Sequence, residues 1–174
     1  SRKRGLLNLS TTADVLPYLI SDESYELFSK MKVLSKEEID ARYEVELDKY
    51  NKLLNIEIRV MKRMVRRTFL PAISEYMASL SDSINSISKA SSEFMKDLKQ
   101  VEILARLQKY YNEAFNLVES LNKLHKDSLE IKNQQERANF NAHKLIPLMD
   151  KLRREIDLAE TYTSRDYWPC PSYN

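Results

Sequence analysis

A chain of 174 residues is the size of one domain, at roughly 100–200 residues each, and it holds one glycine, Gly5, and one cysteine, Cys170. Tight turns, hairpins and phosphate-cradling loops need positive φ, which glycine supplies most readily, so strand-rich and nucleotide-loop folds are disfavoured; a lone cysteine excludes an internal disulfide framework and a thiolate zinc cage. With 28 basic and 26 acidic residues the net charge is +2, too little for nucleic-acid binding by bulk charge.

Charged residues at 31% and hydrophobic residues at 43% suit amphipathic helices with one buried stripe and one wet face. No apolar run approaches the roughly 20 residues of a membrane span, and no apolar core of a signal peptide follows Ser1-Arg2-Lys3-Arg4-Gly5. The low cysteine count fits a reducing cytoplasm. The sequence opens and closes mid-phrase, so it is expected to be a fragment of something larger.

Residues 1–34 read as a basic lead-in followed by two short helices. Thr11-Thr12-Ala13-Asp14 offers a cap for the first, near 12–19, which Pro17 keeps short. Ser21-Asp22-Glu23 opens the second, through about Met31, with acids at the positive end of the helix dipole. Ser35-x-x-Glu38 is a capping box at the head of the main helix. Apolar positions then run Ile39, Tyr43, Leu47, Tyr50, Leu54, Ile58, Met61, Val65, Phe69, Ile73, Met77 and Leu80 in steps of three or four, the period of one helix face. This helix spans 36–89, roughly 80 Å at 1.5 Å per residue. Pro71 removes a backbone donor and clashes with the preceding turn, so a kink or break is expected near 67–71.

The serine-rich stretch Ser88 to Ser92 marks the first reversal. A second helix carries Phe94, Leu98, Val101, Leu104, Tyr111, Phe115, Val118, Leu121 and Leu124, ending near Asp127. The third repeats Ala138, Ala142, Leu145, Met149, Leu152, Ile156 and Ala159 at heptad spacing, with Pro147 interrupting it. Short connections make neighbours antiparallel. Pro71, Tyr111 and Pro147 then fall at one height, and the bundle is expected to bend there with aromatic rings in the wedge. The expected fold is all-α: an elongated antiparallel bundle of three long helices over 35–163, one kinked at a proline, with two short N-terminal helices and an extended Pro-rich tail over 164–174. Residues 36 to about 53 overhang the bundle. The short helices cover part of their apolar stripe, and the remainder is a candidate docking face.

Chemistry is sparse. His125 and His143 have no partner at metal-site spacing and read as bundle or surface histidines. Asp22, Glu23, Glu37 and Glu38 read as helix-start acids rather than acid–base catalysts. Lys62-Arg63-Met64-Val65-Arg66-Arg67 reads as a solvated or salt-bridged helix face, with an acidic partner surface as the other option. Tyr43, Tyr50, Tyr76, Tyr110 and Tyr111 suit core or subunit contact, since tyrosine buries well while keeping one end wet. Trp168-Pro169-Cys170-Pro171 is a stiff strip with a large apolar anchor. It suits docking into a groove or packing back on its own bundle.

Five phrases in order, Thr11 to Pro17, Ser35 to Tyr50, Asn55-Ile56-Glu57, Leu70-Pro71-Ala72 and Trp168 to Tyr173, resemble the C-terminal region of type III glutamine synthetases. The lead-in Lys3 to Leu9 resembles the stretch after that family's catalytic core, and the helices of 90–160 match only in character. The resemblance implies a parent enzyme that ligates ammonia to glutamate, driven by ATP through a γ-glutamyl phosphate with Mg or Mn, as a large cytoplasmic oligomer of stacked hexameric rings. None of that core's metal-, phosphate- or glutamate-binding motifs occurs here, so no catalytic, cofactor-binding or metal residue carries over, and this part alone is expected not to be an enzyme. The implied role is packing on the catalytic core of the same polypeptide and on neighbouring subunits, with no nucleic acid or membrane as partner. The candidate contact residues are Tyr43, Leu47, Tyr50, Leu54, Ile56 and Trp168.

Two other readings compete. An independent helical-bundle interaction or signalling module needs no exposed apolar patch along 36–54, whereas the accessory domain does. A nucleic-acid binder acting through residues 62–67 requires steeply salt-dependent affinity.

Overall fold

The computed structural model describes residues 8–90 and 98–171. The lead-in at 3–7, Phe94, Ser91 and Ser92 of the proposed first reversal, and Ser172-Tyr173 lie outside the described residues. The described chain is all-α: α1 (Thr12–Val15) with a 3-10 turn (Leu16–Ile20), α2 (Asp22–Met31), α3 (Lys36–Met64), α4 (Leu70–Ala90), α5 (Lys99–Glu130), α6 (Gln134–Phe140) and α7 (Ile146–Glu160).

The helix starts follow from side chains that satisfy the first backbone N–H groups, which have no partner within a helix. The Asp14 N–H donates to Thr11 Oγ1 at 3.2 Å and the Ser24 N–H to Ser21 Oγ at 3.3 Å. The capping box at α3 is reciprocal: the Glu38 N–H donates to Ser35 Oγ at 3.3 Å and the Ser35 N–H to Glu38 Oε2 at 2.7 Å. Asn133 Oδ1 accepts from the N–H groups of Gln135 and Glu136 at the head of α6. Lys32 ends α2 in the left-handed conformation, φ 51°.

Neither proline breaks its helix. Each follows one π turn, Val65–Phe69 before Leu70-Pro71 and Asn141–Leu145 before Ile146-Pro147. In both, the N–H of the residue before proline donates five residues back, Leu70 to the Val65 carbonyl and Ile146 to that of Asn141. A π turn holds one residue more than an α turn and opens the ladder where the proline ring would meet a carbonyl. The core pattern registers the extra residue, because the buried positions step by five from Val65 to Leu70 before returning to three at Ile73.

The described chain forms two compact units, one of residues 8–57 and 124–147, the other of 58–123 and 148–171. The first centres on Ala13, Leu47, Ala138 and Ala142, with Leu16, Tyr43 and Tyr50 packed against them. Three alanines at one core let α1, α3 and α6 approach closely, and a polar chain crosses the same unit. Ser128 Oγ donates to Asn141 Oδ1 at 2.5 Å, Asn141 Nδ2 to Asn51 Oδ1 at 3.1 Å, and Asn51 Nδ2 to the Gln134 carbonyl at 3.0 Å. All three donors are buried, and their mutual bonds answer the cost of removing them from water.

The second unit centres on Ile73, Leu80, Leu107 and Ala159. Lys62 donates to Asn122 and Arg66 to Glu119 at 2.6 Å, so this stretch and α5 run in opposite directions within the unit. Pro71 and Tyr111 line one open cavity of about 560 Å³ with Leu70, Ser74 and Phe115, so the tyrosine does lie level with this proline. The tail packs back on its own unit: Trp168 stacks on Phe69 with centroids 5.2 Å apart, and Tyr167 meets Tyr76 at 5.4 Å.

Candidate functional site

The residues expected to dock divide sharply. Leu47 and Leu54 on α3 are buried, Leu47 in the first unit's core. Tyr43 and Tyr50 are half-buried and turned inward, where the Tyr43 hydroxyl donates to Gln135 Oε1 at 2.7 Å. Gln135 in turn donates to the Ala13 carbonyl at 2.8 Å. A tyrosine patch on the outside of 36–54 is therefore absent, because α1 and α6 cover that face. Trp168, in the second unit, stands half-buried on Phe69.

A different face of α3 is uncovered. Val45 is 62% exposed, Leu53 51% and Ile56 55%. Steps of eight and three residues place them on one side of the helix, about 170° around from the buried row of Leu47, Leu54 and Ile58, at 100° per residue. The Asn55-Ile56-Glu57 phrase is thereby split. Asn55 faces inward, its Oδ1 hydrogen-bonded to Nε2 of the buried His125 at 2.8 Å, while Ile56 and Glu57 face out. The inward bond fixes the rotation of the helix, and so which side Ile56 presents.

The second short helix expected from Ser21-Asp22-Glu23 to Met31 is α2, and its exposed side is a surface that periodicity did not mark. This helix buries none of its residues, and Leu27 and Met31 are exposed along it. It is attached at Tyr25, whose hydroxyl donates to Asp40 Oδ1 and whose ring lies 4.9 Å from Lys36 Nζ. The hydrogen bond to Asp40, assisted by that carboxylate's charge, pushes the Tyr25 hydroxyl up to about 12. The readable signal was a capped amphipathic helix with nothing in the first unit's alanine core to receive its apolar side.

The opposite is true of α1. Ala13 is wholly buried, and Asp14 accepts from Thr11 at 2.6 Å and pairs with His143 at 3.0 Å. The Thr11 hydrogen bond first, then His143, hold the Asp14 carboxyl below its usual range. Among the described residues no three His, Cys, Asp or Glu side chains stand together as metal ligands, and no helix is long and apolar enough to cross a membrane. The arrangement offers surfaces for packing.

Comparison with known proteins agrees on one family. The profile of the glutamine synthetase C-terminal domain matches residues 1–88. A glutamine synthetase of Butyrivibrio fibrisolvens is 32% identical over 98% of this chain, and a type-3 glutamine synthetase of Dictyostelium discoideum is 27% identical over all of it. A glutamine synthetase of Bacteroides fragilis is 22% identical over 98%. In each case the chain spans 24% of the relative's length.

Proposed function

The chain belongs to the glutamine synthetase C-terminal domain family, in its type III class, and from that premise we propose that it is a non-catalytic packing and assembly domain of such an enzyme. The parent ligates ammonia to glutamate with ATP and divalent metal in its catalytic core. This domain docks on that core through the outer face of α3, at Val45, Leu53 and Ile56.

The observation that carries the reading is the uncovered apolar row on the helix whose inner face is covered by its own unit. Large side chains on one side of a helix, exposed at 51–62%, mark a contact surface. The relatives are about four times as long as this chain, which leaves three quarters of such a protein to supply the cover. An independent signalling bundle has no need of this row.

The test expresses this chain and the remaining three quarters of a type III synthetase as separate polypeptides. The two should co-purify, and Leu53→Asp with Ile56→Asp should abolish capture while leaving the isolated chain's thermal unfolding unchanged. Capture that survives both substitutions refutes the reading.

A further inference from the structure

Residues 58–74 carry five cations and no acid. The structure divides the cations into two sets. Lys62 and Arg66 turn toward α5, bonding Asn122 and Glu119. Arg59, Arg63 and Arg67 are exposed, four residues apart, and make no ion pair among the described residues. Like charges at this spacing weaken a helix, so the row does not serve the helix that bears it. Exposed Val60 and Met64 stand beside it. Phosphate binding has no use for that apolar component, and the net charge of +2 supplies no long-range attraction for nucleic acid.

The chain also carries a surface of the complementary kind. Uncovered α2 has Asp22, Glu23 and Glu26 at its acidic end and exposes Leu27 and Met31. We propose that the Arg59–Arg63–Arg67 row, with Val60 and Met64, receives the acidic, apolar face of α2 from a second copy of the chain. Glu23 and Glu26 meet guanidinium groups, and Leu27 and Met31 lie over Val60 and Met64. The helices run antiparallel, because Leu27 over Met64 and Met31 over Val60 set Glu23 and Glu26 level with Arg63 and Arg67 and leave Lys30, the only cation of α2, toward the Arg59 end. The two surfaces differ, so the contact is head-to-tail and builds rings or open chains rather than stopping at a dimer. This rests on the assembly half of the function proposed above and names its partner.

Sedimentation velocity on the whole 174-residue chain tests it. The wild type should form species larger than dimers in low salt, weakening as salt screens the pairs. R63E/R67E and E23R/E26R should each weaken association at least ~10-fold, because they set like charges face to face. The four substitutions together should restore it. Circular dichroism establishes folding of each variant, and the neutral R63Q/R67Q, expected to weaken association too, serves if the reversed pair fails to fold. A monomeric wild type, association that the swaps do not move, or a quadruple variant that stays dissociated overturns the proposal. So does salt-steep binding of duplex DNA without self-association. L53D/I56D should leave self-association intact, so failure of core docking and failure of this contact are read separately.

Discussion

Tyr50 has a buried hydroxyl with no hydrogen-bond partner among the described residues. Burial, then the nearby charges of Asp14 and Glu57, push its ionisation upward, so the group stays neutral. An unpaired buried hydroxyl has lost its water without compensation, and removing it should cost nothing. Tyr50→Phe is expected to leave stability unchanged or raise it by about 1 kcal/mol, read from the urea midpoint at constant slope. A clear loss would reveal a partner for the hydroxyl. Tyr25 behaves in the opposite way because its hydroxyl is bonded. Its ionisation moves from 10.0 to about 12 on folding, so the contribution is complete below pH 10 and vanishes as pH rises through about 12. In Tyr25→Phe the part of the alkaline loss of stability that belongs to this residue should disappear. An unaltered alkaline limb would mean that the bond to Asp40 does not persist in solution.

At the scale of elements, the two π turns decide how much of the fold the sequence could reveal. The capping signals at Ser21, Ser35 and Asn133 act through neighbouring residues, and the α2 and α3 starts were legible from the first two alone. Pro71 and Pro147 were equally visible, but their consequence was not. A missing donor and a steric clash predict a break, while packing of Leu70 and Ile73 on the second unit's core selects an extra residue instead. The five-residue step from Val65 to Leu70 was hidden because Phe69 is apolar too and continues a four-residue step. The extra residue and the proline are therefore a matched pair. Deletion of Thr68 should leave an α step of four from Val65 to Leu70, with Leu70, Ile73 and Leu80 still on the core, but it returns the Pro71 ring to the carbonyl that the π turn avoids and should cost about 3 kcal/mol. The same deletion in a Pro71→Ala background should cost less than about 1 kcal/mol, because the clash is gone. Urea unfolding of the two variants separates them. Equal losses would show that the proline does not set the turn.

For the whole molecule, the candidate site was legible in position but not in rotation. Periodicity located an apolar excess on the early part of α3. It could not show that Ala13, Ala138 and Ala142 are small enough to admit α1 and α6 over Tyr43 and Leu47, leaving Val45, Leu53 and Ile56 as the open side. Among the described residues, nine of the fourteen exposed large apolar side chains belong to the first unit and five to the second. The second unit has its aromatic tail closed over its core, with Trp168 on Phe69 and Tyr110 stacked with Tyr162 at 6.0 Å. Helix stability comes mostly from tertiary cover, so the two units should differ in how much they depend on a parent protein. Hydrogen exchange compared between the isolated chain and a whole type III synthetase should show large added protection in α2 and in residues 45–56, and little in α4 and the middle of α5. Equal added protection across both units would remove the distinction and, with it, the assignment of docking to the outer face of α3.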